Sequence, residues 1–149
     1  MKKIVLASSL LIAAIVGIAI YTAFKTGQPS VVYAAGKVTL SDELKAEASG
    51  VRTLFVTVFD AESDMPMPYG AMRETLSADP EGAFGSFFLT PERLQVMNPS
   101  APAPTKLRIK VRLDRDGQGG MDQPGDLTGE ITGVALGSKD VEILINKKI

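Results

Sequence analysis

Along Lys106–Asp114 the chain alternates, with Leu107, Ile109, Val111 and Leu113 on one side and Lys106, Arg108, Lys110 and Arg112 on the other. A period of two belongs to a β-strand with one dry and one wet face, and no helix produces it. At roughly 3.3 Å per residue the apolar row is about 20 Å long, a length that only a facing sheet covers. The segment therefore predicts a two-layer β structure.

The same reading extends in both directions. Val38 and Leu40 alternate with Lys37 and Thr39 in a first strand within residues 31–40, and Ser41, Asp42 and Glu43 read as an N-cap and acidic first turn of a short helix ended by Gly50. Residues 53–59 are β-branched and aromatic almost throughout, as expected of a strand in the middle of a sheet. Met65-Pro66-Met67-Pro68 cannot lie inside a sheet, because two of its four residues lack an N–H. Short strands are expected at residues 71–76, 86–89 and 141–145, with one helical turn after Thr90-Pro91. Residues 98–104 hold three prolines and read as a stiff surface connection, while residues 116–120 and 124–129 carry turn formers. Six or seven short strands over residues 36–149 predict an all-β, immunoglobulin-like sandwich rather than a closed barrel.

Before the sandwich comes a different pattern. Residues 4–24 contain no charge, follow Met-Lys-Lys and precede Lys25. As a helix the run measures about 31 Å, which matches a hydrocarbon core of roughly 30 Å. Secretory signals have shorter apolar runs, and the small-residue site at Ala34 lies far beyond this one, so an uncleaved anchor over residues 1–25 is expected, with a linker over residues 26–35. Lys2, Lys3 and the terminal amine outweigh Lys25, which puts the N-terminus in the cytoplasm and the sandwich outside the inner membrane, in the periplasm.

Composition narrows the chemistry. The chain has no Cys, no His and no Trp. Thiol chemistry, disulfides, haem ligation through imidazole, zinc sites of the usual kind and His-assisted nucleophilic catalysis are therefore excluded. Beyond residue 35 the chain carries 13 basic against 17 acidic side chains, so nucleic acid is not an expected partner. No pair of carboxylates stands out for acid–base work, and neither an enzyme nor a cofactor is expected. Asp114, Asp116 and Asp122 surround Gly117 but lack the ligand alternation of a calcium loop, and Arg115 intrudes, so the segment reads as a plain turn. Met65, Met67, Met72, Met97 and Met121 offer thioethers suited to Cu(I), although Met is also a routine filler of apolar gaps. Two candidate contact surfaces remain: Met65, Pro66, Met67 and Pro68 as an adaptable apolar contact, and Lys106, Arg108, Lys110 and Arg112 as a basic row.

A series of short motifs resembles the C-terminal periplasmic domain of CcmI/CycH-type cytochrome c biogenesis proteins. The pieces are Gly36-Lys37-Val38-Thr39-Leu40-Ser41 with Leu44, Thr53-Leu54-Phe55-Val56, Met67-Pro68 with Arg73, Phe88-Leu89-Thr90, the 106–117 segment, Pro124-Gly125-Asp126-Leu127-Thr128-Gly129, and Val134 with Gly137, Val141 and Ile145. Order and spacing hold over residues 36–149. The resemblance implies a membrane-tethered, chaperone-like accessory factor that binds apocytochrome c or other cytochrome c maturation proteins and performs no chemistry itself. It carries over no catalytic residues. The family's tetratricopeptide-repeat region, which grasps the apocytochrome tail, has no counterpart between residues 25 and 36, which makes docking beside a separate repeat protein an alternative to direct client binding. The competing readings are an accessory subunit of a respiratory complex and a methionine-based copper handler.

Overall fold

The computed structural model describes residues 31–64, 67–76 and 85–149, which belong to one compact unit, Val31–Ile149. The anchor over residues 1–25 and the linker as far as residue 30 lie outside the described residues. No helix among the described residues is long and apolar enough to cross a membrane.

The 106–114 row lies where its period requires. Strand β6 (Lys106–Asp114) runs between β2 (Thr53–Asp60) and β7 (Leu127–Ala135), antiparallel to both. Its register with β2 sets Leu113 opposite Leu54, Val111 opposite Val56 and Ile109 opposite Val58, and all six side chains are buried. Next to β2 is β3 (Gly70–Thr75), flanked by the two-residue β5 (Gln95–Val96); beyond β7 is the two-residue β9 (Lys147–Lys148), which completes a sheet of six. The second sheet has β1 (Ala34–Leu40) at its centre, antiparallel to β4 (Gly85–Leu89) and parallel to β8 (Ser138–Ile145). Val38, Phe87, Leu89, Ile143 and Ile145 from this sheet join the β2, β6 and β7 row in one hydrophobic core.

The all-β expectation therefore holds, with two facing sheets. Nine strands are present among the described residues, seven of them five residues or longer. The expected linker over residues 26–35 overlaps the first strand, which starts at Ala34. Between β1 and β2 a 3-10 turn (Asp42–Leu44) and one helical turn, α1 (Lys45–Ala48), pack Leu44 and Ala48 on the core. Ser41 precedes this pair as expected but makes no side-chain cap.

Strand β7 was not foreseen, because Gly129 and Gly133 interrupt its period. Both glycines have a structural cause. Gly133 lies at φ 81° in the bulge where two residues of β7, Thr132 and Gly133, face one of β6, Arg108. Gly129 faces inward opposite Val111, and a Cβ there would lie 2.2 Å from the carbonyl oxygen of Leu144. With no side chain in the way, β8 comes into backbone contact with β7. The chain can then leave one sheet and join the other at Asn146, whose N–H donates to the Thr128 carbonyl at 3.1 Å.

Gly129→Ala should cost roughly 2–3 kcal/mol, because backbone on both sides resists the new methyl group. Gly85→Ala, whose Cβ would have its nearest neighbour at an ordinary 3.6 Å, should change stability by less than about 1 kcal/mol. Urea unfolding of the two full-length variants compares them, and equal midpoints would contradict the close-approach account.

Candidate interaction surface

The basic row on β6 divides into side chains at the surface and one in the interior. Lys106 is exposed and pairs with Glu62 at 3.2 Å. Arg108 pairs with Glu130 at 3.2 Å and lies over the Phe59 ring at 4.0 Å, as the Phe59 to Arg108 register dictates. Lys110 forms an ion pair with Asp122. Arg112, in contrast, is only 6% exposed. Expected on the wet face, it is covered by residues 114–126 and is closed to any partner.

The covering segment is built around the Arg112 guanidinium. Asp114 lies 2.9 Å from Nη2, Asp122 3.4 Å from Nη1 and Asp126 3.7 Å from Nε. Nη1 also donates to the Gly120 carbonyl at 2.8 Å, and the guanidinium carbon lies 5.1 Å from the centre of the Phe55 ring. Nε and Asp114 Oδ2 make no hydrogen bond, so that part of the cluster is held by charge alone. Asp114 Oδ1 accepts the Gly117 N–H at 2.5 Å and Asp116 accepts the Gln118 N–H at 2.9 Å, which shapes the turn. Asp114 and Asp122, two of the three carboxylates that the sequence sets around Gly117, thus join Asp126 around a cation that the chain itself supplies, while Asp116 shapes the turn. Among the described residues no group of three acidic side chains is arranged to hold a metal ion.

These carboxyls respond to pH in opposite senses. Burial, joined by the hydrogen bond shared with Asp116, pushes the Asp114 carboxyl up, against the pull of the Gly117 N–H and Arg112. Burial acts in the same direction on Asp122, but there Lys110 and Arg112 outweigh it and hold the carboxyl below the usual range. Asp122 therefore adds stability at neutral pH that is lost as pH falls through its depressed value. Asp114 does the reverse, and its penalty is relieved as pH falls through its raised value.

The second surface is a groove. Met65 and Pro66 lie outside the described residues, while Met67 is 63% exposed and Pro68 half-buried. With Tyr69 they face Ala101, Pro102 and Pro104 across a groove of about 200 Å³, and Asp60, Ser63 and Asn98 supply its polar lining. Tyr69 is fixed from behind by an edge-on contact with Tyr33 at 6.2 Å. Burial and the hydrogen bond to Tyr33 push the Tyr69 hydroxyl up to about 12, so it stays protonated. The proline-rich connection, read from sequence as a spacer, is thus one wall of a site. The clue was available, since residues 65–68 and 98–104 are the two densest proline segments of the chain. Of the five methionines weighed for copper, Met72 is buried in the core and Met121 is exposed in the Arg112-covering segment, away from the groove.

Arg112→Met should cost about 3–5 kcal/mol by leaving Asp114 and Asp126 buried without their counter-charge. Adding Asp114→Asn should recover part of that loss, since Asn still accepts the Gly117 N–H. Urea midpoints for the single and double variants measure this, and a double variant less stable than the single one would contradict it. Comparison of the chain with family models, with curated proteins and with solved structures found no match.

Proposed function

We propose that the chain is a membrane-anchored, periplasmic accessory factor in the assembly of c-type cytochromes, acting by protein binding and not by catalysis. The observation that carries this reading is the ordered motif series over residues 36–149. Several of its pieces have structural tasks: Asp126 contacts Arg112, Gly129 admits β8 against β7, and Met67-Pro68 edges the groove. The immunoglobulin-like class belongs to the same reading, supported by seven longer strands in two facing sheets.

The chemistry of the chain supports a holding role. Without Cys or His it has neither a thiol to exchange with an apocytochrome nor an imidazole to bind haem. It does have exposed apolar side chains beside a rigid groove, which suits a client whose chain is not yet folded around its cofactor. The anchor over residues 1–25 keeps the module at the membrane surface where haem ligation takes place.

Deleting the gene and staining membranes for covalent haem tests the proposal. Loss of all c-type cytochromes, restored by the full-length chain, is the expected result. Normal staining contradicts it, and loss confined to one respiratory complex favours the accessory-subunit reading.

A further inference from the structure

We propose that the groove between residues 67–69 and 98–104 seats an extended segment of a partner polypeptide. An apolar side chain of the partner lies between Met67, Tyr69 and Pro102, and a basic one points to Asp60. The proposal rests on the reading of the chain as a binding module, and it holds or fails apart from the cytochrome assignment.

Size disfavours a small-molecule ligand. At about 200 Å³ the groove is below the roughly 300 Å³ at which small-molecule sites begin, so it takes one or two side chains of a longer chain laid across it. The walls determine the conformation of that chain. Pro68, Pro102 and Pro104 have no N–H to donate, so a ligand cannot be held here as an added β-strand with a full ladder of backbone bonds. A polyproline-II segment needs no such ladder, and aromatic and proline walls suit it. Both walls are stiff before binding, which reduces the ordering cost.

Charge selects the sequence. Asp60 ends β2, and Glu62 and Asp64 follow it in the turn. Glu62 is taken by Lys106, whose ammonium, with help from Thr105, holds that carboxyl below the usual range. Asp60, which lines the groove, forms no ion pair among the described residues, which leaves that end of the groove with an uncompensated negative charge. A basic side chain meets attraction there, and an anionic lipid surface meets repulsion. The outer face of the three-stranded sheet, with Phe88 and Leu144 exposed, lacks such a signal because its Lys37 and Glu142 pair with each other at 3.2 Å.

Because the chain has no Cys, a single Met97→Cys change gives a unique attachment point for an environment-sensitive dye beside the groove, next to the lining residue Asn98. The full-length labelled protein, in detergent micelles, is titrated with an octapeptide made of two Pro-Leu-Pro-Lys units and with its counterpart carrying Glu in place of Lys. The basic peptide should give a saturable spectral shift, with affinity about tenfold above that of the acidic one. Asp60→Asn, which can still accept the Glu62 N–H, should weaken the basic peptide about threefold, and Met67→Gln should weaken both peptides. Lys37→Gln, on the other sheet, should leave both unchanged. No saturable response up to about 1 mM peptide, or binding that ignores Asp60 and Met67, would overturn the proposal. Quenching of the dye by brominated lipid in nanodiscs without peptide would also overturn it, since the groove would then face the bilayer. Peptide binding that fails while the deletion strain lacks cytochromes removes the groove and leaves the assembly role; the opposite pair of results removes the assembly role and leaves the groove.

Discussion

Backbone contact between β7 and β8 is the constraint on which the arrangement of the sheets depends. Only a residue without a side chain fits at position 129, where the main-chain oxygen of Leu144 is the atom a methyl group would strike. Contact at that point lets the last strand cross from the three-stranded to the six-stranded sheet at Asn146 and closes one seam of the sandwich. The opposite seam is closed by side chains. Arg93 donates to the Phe88 carbonyl on β4 and pairs with Glu74 on β3, so it latches two sheet edges that would otherwise offer their backbone to other chains.

Along β6 the environment changes from one end to the other. At Lys106 the row is solvated and paired with an exposed Glu62 side chain, and by Arg112 it is buried under three aspartates. A buried ion cluster is weak evidence for stability, because desolvation of the charges offsets much of their attraction. Its effect is to hold the long 114–126 connection in one shape against the sheet. The end of the molecule at Lys106 is different: prolines stiffen its loops, the groove there is lined by the unpaired Asp60 carboxylate, and Met67 and Met97 stand out in solvent.

Alternation made the strands with one dry face legible. Residues 106–114 match β6 end to end, and Val141, Ile143 and Ile145 mark the buried side of β8. β7 was not legible, since the glycines that let it bulge and touch β8 remove the apolar side chains that would have marked it. Nor does a period of two distinguish an arginine facing water from one under a loop: Arg108 and Arg112 occupy equivalent positions in the pattern, and only the fold of residues 114–126 separates them. Half of the groove could be read from Met67 and Pro68, but its other wall arrives from 30 residues further along the chain, and that proximity depends on β3, β5 and β6 being assembled.

The proposed function makes the chain a tethered module whose surface does the work. Site-specific photocrosslinking in living cells tests that claim most directly, with a photoreactive residue placed at position 67, in the groove, or at position 37, on the opposite sheet. The account predicts adducts containing cytochrome c polypeptide without haem from position 67 and none from position 37. Adducts at equal yield from both positions, or cytochrome adducts from neither in cells actively making c-type cytochromes, would contradict it.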